Sequence, residues 1–189
     1  IPEHHDRDVV PGAGMKVVET AIGRLAPVIC FDLNFVESVP DLAALKPEVI
    51  VFGSAYHGGF MQQYWAYQTQ SWFVGAVHPP NTSQVLTPMG DVWASTVNYR
   101  FHVTTQINLD YKVIHIDENH AKFRAIKERF GPAVKIHDPG RVGAVLLTSE
   151  DDALTVDDVM AEFDLADLDD YLNRSRASNM AARQGGLHQ

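Results

Sequence analysis

The sequence has one cysteine, Cys30, in 189 residues. A lone thiol excludes an internal disulfide and fits a reducing, cytoplasmic setting. No apolar run approaches the roughly 18 residues that a membrane span requires, so no membrane partner is expected. Basic residues are also scarce: 15 Lys and Arg stand against 24 Asp and Glu, for a net charge of −9. Most of that imbalance is local, because residues 150–170 hold ten acids and no Lys or Arg. The remainder is nearly neutral and shows no basic face for nucleic acid. Internal repeats and low-complexity tracts are missing. Pro11-Gly12-Ala13-Gly14 is a turn and not a phosphate loop, since no strand leads in and no Lys-Ser/Thr follows. What is present is 46% hydrophobic residues, enough for a sizeable core.

From Met15 onward, short apolar runs alternate with helical patterns. "MKVVET" and "RLAPVICF" predict two strands joined at Ala21-Ile22-Gly23. "ESVPDLAALKP" predicts a helix, with Pro40 in its first turn and Pro47 as its stop. "EVIVFGSA" and "FVGAVH" are continuous apolar runs, as in strands covered on both faces. Between them, "GFMQQYWAYQTQSW" predicts a helix with Phe60, Tyr64, Tyr67 and Ser71 along one side. "SQVLTPMGDVWASTV" predicts two strands about a Pro-Met-Gly-Asp turn. "VTTQINLD" and "YKVIHID" predict two more, followed by an amphipathic helix closed by Gly131 and Pro132. "AVKIHDPGRVGAVLLTSE" is irregular with a late strand, and Thr155 caps a helix that puts Val156, Val159, Met160 and Phe163 on one face. "DLDDYLNRSRASNMAARQ" is a last helical piece. The mixture predicts layered α/β architecture. The acidic helix packs on its own domain or serves as an arm toward a partner subunit.

Cys30 ends an apolar strand and is followed at once by the polar turn "FDLNFVES", which leads into a helix. In α/β folds, the carboxyl ends of strands face the ligand crevice. Backbone N–H groups at a helix start favour a thiolate or an oxyanion. A small buried hydrophobe is the bland alternative for such a cysteine.

The stretch "GRLAPVICFDLNFVESVPDLAALKPEVIVFGSAYHGG" resembles the nucleophile region of the carbon–nitrogen hydrolases, the nitrilase superfamily. The match consists of Gly23, Ile29-Cys30, Phe31, Asp32, Phe35 and Glu37, then Val49-Ile50-Val51 and Ser54-Ala55. "VLTPMGDVWAST" resembles the family's later hairpin, and the likeness runs from about Pro2 to Asp110. Two segments depart from the family pattern: Lys46-Pro47-Glu48, and Gln68-Thr69-Gln70-Ser71-Trp72 in the pocket helix. The resemblance implies a four-layer α-β-β-α sandwich. Ile1 is not a Met, and the opening residues read as a loop entered partway, so the expectation is a piece of a longer protein lacking its N-terminal strands and helices. Such a piece exposes sheet edge and apolar face. The expected division is 1–150 as the C-terminal portion of the hydrolase domain and 151–189 as an acidic helical extension.

By resemblance, Cys30 attacks the carbon of an amide, carbamoyl or nitrile group and passes through a thioester. The N–H of Phe31 would help hold the oxyanion. Tyr56, His57 and Asn34 are candidate substrate-binding residues. For Asn34, helix capping is the bland reading, and for Tyr56 it is core packing. Glu37 is read as an anchor for the helix start. Asp6 or Asp8 would be a second carboxylate. The family's base Glu and oxyanion Lys would lie before Ile1, which predicts that the chain alone is inactive. Asp32 two residues after Cys30 favours amide or carbamoyl cleavage over nitrile cleavage. No cofactor is implied, and the histidines, including His4, His5, His115 and His120, lack metal-ligand spacing. The implied partners are a small-molecule substrate and further copies of the protein, as a homodimer or larger. Two alternatives stay open: a catalytically silent relative used for binding or assembly, and a flavodoxin-like domain with an incidental cysteine.

Overall fold

The computed structural model describes residues 12–185. The chain divides between Leu109 and Asp110 into two compact units, whereas the sequence suggests a division near residue 150. The reason is that the acidic helix shares an apolar core with strands that precede it.

The first unit is built on a six-stranded sheet whose strands lie in chain order. β1 (Val18–Thr20) and β2 (Gly23–Ile29) form the expected antiparallel pair. β2, β3 (Val49–Ser54) and β4 (Trp72–Val77) run parallel, joined by α1 (Val39–Ala44) and α2 (Phe60–Thr69). β5 (Gln84–Leu86) and β6 (Val92–Ser95) complete the sheet as an antiparallel hairpin. Ala26, Val28, Ile50, Phe52 and Phe73 turn toward the helices and meet Leu33, Val39, Leu42, Trp65 and Ala66 in one core. Of the alternate residues, Ile29 is 58% and Val51 44% exposed. Among the described residues the face away from the helices is covered at the starts of β3 and β4, where Val49 and Trp72 are buried, and carries exposed apolar side chains at Ile29 and Val51. The mixed α/β class holds.

Two expectations for this unit change. The buried side of α2 carries Gln62, Trp65, Ala66 and Thr69, while Phe60 and Tyr64 are exposed. The Trp65 indole fixes that rotation by donating to the Leu33 carbonyl at 3.0 Å. Residues 103–109 form no strand. They run as open chain pinned by two indoles, with Trp93 Nε1 donating to the Gln106 carbonyl at 3.0 Å and Trp72 Nε1 to that of Asn108 at 2.9 Å.

The second unit has a three-stranded antiparallel sheet of β7 (Tyr111–His115), β8 (Val134–His137) and β9 (Ala144–Ser149), with β9 central and buried throughout. The run expected to be irregular with a late strand supplies that strand, β9, and a second one, β8. Packed with the sheet are α3 (Phe123–Phe130), α4 (Val156–Glu162) and α5 (Leu168–Gly185). Val156 and Val159 join Ile114, Ile126, Val145 and Leu147 in the core, with Met160 and Phe163 against it. α4 accordingly packs on its own unit. Buried Asn119 ties β7 to the segment before α5: its amide donates to the carbonyls of His115 (2.8 Å) and Ala166 (2.9 Å), and its oxygen accepts from Ala166 N–H. Tyr171 stacks on His115 with ring centroids 3.8 Å apart, and its hydroxyl donates to Asp117 at 2.6 Å. No helix among the described residues is long and apolar enough to cross a membrane.

Candidate active site

The parallel register brings three strand ends to one edge of the sheet. Ile29 of β2 lies beside Gly53 of β3, and Ser54 beside Val77 of β4. Cys30 and His78 follow directly on the ends of β2 and β4, and Tyr56 comes two residues after the end of β3. This is where an open parallel sheet places its ligand crevice.

At Cys30 the chain turns from β2 into a short 3-10 turn, Cys30–Asn34, and does so through a left-handed residue: Cys30 has φ of 50°. For a side chain with a Cβ this conformation costs about 1–2 kcal/mol. It holds the thiol half-buried between two residues that are well exposed, Ile29 and Phe31. The turn is closed by Asp32, whose carboxylate accepts the N–H of Ile29 at 3.1 Å. Asp32 thus has a structural task beside the cysteine. Phe31 is the second residue of the turn, so its N–H has no partner within the turn and is available to an oxyanion. The Phe31 and Phe35 rings meet edge-on at 5.9 Å on the flank of the turn.

Asn34 and Tyr56 come together. The amide of Asn34 donates to the Phe31 carbonyl at 3.1 Å and to the Tyr56 hydroxyl at 3.0 Å. Asn34 therefore caps no helix but links the cysteine turn to the loop after β3. Burial raises the pKa of Tyr56, the Asn34 hydrogen bond opposes this, and negative charge on Cys30 and Asp32 raises it further. Tyr56 stays a phenol across the neutral range.

His57 is engaged within its own loop. Its Nδ1 accepts the Gly59 N–H at 3.1 Å, which leaves the ring proton on Nε2, 3.3 Å from the Thr82 hydroxyl. Gly58 has φ of 78°, and a Cβ there would lie 2.7 Å from Leu33, so the loop passes close against the cysteine turn. Gln62 donates to the His57 carbonyl from the buried side of α2. Glu37 lies exposed in a 3-10 turn before α1, and among the described residues no hydrogen bond of its side chain anchors that helix. Asp6 and Asp8 lie outside the described residues. Sequence reasoning missed Thr82 and Gln62. Thr82 comes from a remote loop, and no local signal marks it. Gln62 could have been found by shifting the helical register by one residue to put Trp65 inward. Among the described residues no cluster of three or more His, Cys, Asp or Glu could hold a metal ion.

No protein-family model matches the chain, and no curated protein is similar to it. Solved structures are. Nit3 of Saccharomyces cerevisiae, from branch 10 of the nitrilase superfamily, aligns at 20% identity over 50% of this chain and 41% of its own, with a TM-score of 0.44. A carbon–nitrogen hydrolase of Helicobacter pylori aligns at 15% identity over 48% of this chain and 42% of its own, with a TM-score of 0.43. The NitFhit protein of C. elegans aligns at 27% identity over 46% of this chain and 25% of its own, with a TM-score of 0.41. The chain thus spans less than half the length of each structure that it matches here.

Proposed function

We propose that this chain carries the nucleophile of a carbon–nitrogen hydrolase acting on amide or carbamoyl compounds. One observation carries the reading: the only cysteine sits in a left-handed conformation at the carboxyl end of a parallel strand, half-exposed beside an N–H that has no partner within its turn. A space-filling cysteine has no need of that backbone cost. Sγ attacks the carbonyl carbon, and the negative charge moves to oxygen near the Phe31 N–H. Collapse expels ammonia or an amine, which takes up a proton, and leaves a thioester on Cys30. Water then adds to the thioester carbon and releases the acid and the thiol. On this reading a base takes the thiol proton and a Lys shares the oxyanion, and neither is among the residues assigned above. Tyr56 and Asn34 face the substrate on this reading, and the working protein is a homodimer or larger.

The test uses the full-length protein on a panel of primary amides and carbamoyl compounds. Release of ammonia or amine is expected, together with a thioester adduct on Cys30 by mass spectrometry. Cys30→Ala should reduce turnover by at least about a thousandfold, the scale for loss of a covalent nucleophile. Undiminished release by Cys30→Ala sinks Cys30 as the nucleophile, and no release from any member of the panel sinks the proposal and leaves a binding or assembly protein.

A further inference from the structure

We infer that the Tyr56 hydroxyl is a hydrogen-bond donor to a carbonyl oxygen held at Cys30, kept in that role by Asn34. The inference rests on the hydrolase reading above and deepens it by naming a side chain that would recognise the acyl group. Asn34 belongs to the same five-residue turn as Cys30, and its amide nitrogen spends one proton on the Phe31 carbonyl and the other on the Tyr56 oxygen. An amide donor on the phenol oxygen assigns the phenol its direction: the oxygen accepts from Asn34, and the phenol's own proton must go elsewhere. Among the described residues no acceptor takes it. The backbone N–H of Tyr56 is held by the Ser54 hydroxyl at 3.0 Å, so the residue is fixed from both ends. A phenol of raised pKa is a donor at neutral pH and neither a base nor a nucleophile. Asn34 bridges the two strand ends, which makes it the positioning residue and Tyr56 the contact residue.

The chemistry selects a ligand with an acceptor oxygen close to sulfur, and two thiol reagents separate this from general reactivity. Iodoacetamide places a carbonyl oxygen beside the reacting carbon, whereas methyl iodide offers no acceptor. The readout is the ratio of their second-order rates at Cys30 on the full-length protein, followed by mass spectrometry near neutral pH. Tyr56→Phe should lower that ratio about fivefold, the worth of one neutral hydrogen bond, with the methyl iodide rate itself held within about twofold. Asn34→Asp should lower it as much, because a carboxylate accepts the phenol proton and withdraws it from the ligand. Any slowing of the thiol by the added charge enters both rates and cancels. An unchanged ratio in Tyr56→Phe overturns the inference, as does an equal fall of both rates. A wild-type methyl iodide rate no faster than that of a cysteine peptide would instead count against the hydrolase reading, and the ratio would still judge Tyr56. Thermal unfolding of each variant confirms that the rates come from folded protein.

Discussion

The two units solve the problem of a small sheet in opposite ways. In residues 110–185 the central strand β9 is buried on both faces and the polar groups beneath the helices are paired. Asn119 satisfies three backbone groups, and the Asp110 carboxylate receives the Val156 N–H at 3.1 Å. In residues 12–109 the central strands bury the side toward the helices while Ile29 and Val51 on the other side stay exposed, and a left-handed cysteine interrupts the chain at the end of β2. Non-Gly residues with positive φ occur in both units, Glu118 and Asp164 in the second among them, but in the first such a residue, Cys30, stands beside exposed apolar side chains. The contrast teaches that the second unit encloses its central strand, whereas the first leaves apolar side chains of its central strands exposed where a ligand or a further layer would cover them.

The largest expected effect breaks this contrast inside a single strand. Ile50 and Val51 are neighbours in β3, but Ile50 is 0% and Val51 44% exposed. Ile50→Ala removes core methylenes and leaves a cavity, and should cost about 3 kcal/mol in urea unfolding. Val51→Ala should cost less than about 1 kcal/mol, since its side chain gives up little burial. Equal costs would mean that the outer face of β3 is packed at Val51 in solution, and the description of that position as exposed would be wrong.

The parts of the fold written in local pattern were legible. The Val-Ile-rich runs gave β2, β3 and β4, and the Pro-Met-Gly-Asp turn gave the β5–β6 hairpin. Thr155 capped its helix as expected, because a cap is a contact within three residues. What failed was decided by distant partners. Residues 103–109 have strand-like composition, but Trp72 and Trp93 take their carbonyls and no ladder forms. α2 turns its Trp65 side inward because a carbonyl from the Cys30 turn waits there. At the site, the position of Cys30 was readable from the change of polarity after an apolar run. The Asn34–Tyr56 pair was not, because it joins residues 22 apart across two strand ends.

A second prediction sharpens the claim that strain is held at the nucleophile. Glycine adopts φ of +50° without the steric cost that a Cβ carries. Cys30→Gly should therefore raise the urea midpoint by the equivalent of about 1 kcal/mol, whereas Cys30→Ala keeps the strain and should change it little. Stabilisation by Gly alone marks the conformation, and not the sulfur, as the costly element. If Cys30→Gly destabilises the protein instead, the turn is held by packing of the thiol and the argument from strain loses its force.

The smallest effect belongs to the second unit and is a titration. Thr155 and Asp158 form a reciprocal cap: the Thr155 hydroxyl accepts the Asp158 N–H at 3.1 Å, and the Asp158 carboxylate accepts the Thr155 N–H at 2.9 Å and hydroxyl at 2.6 Å. The Thr155 hydroxyl and then its N–H pull the Asp158 pKa below the ordinary 3.8, against a slight effect of burial. A depressed carboxylate binds its proton less readily when folded than when unfolded. Its contribution is thus complete above the unfolded value and disappears as pH falls through the lower folded value. Thr155→Ala should cost about 1 kcal/mol near neutral pH, the usual worth of such a cap. That cost should shrink as pH falls below about 4 and on through the lower folded value, as protonation of Asp158 removes its half of the cap from the wild type as well. Hydrogen exchange of the first α4 amides reads this locally, and a cost that stays constant as pH falls would show that the carboxylate takes no part in the cap.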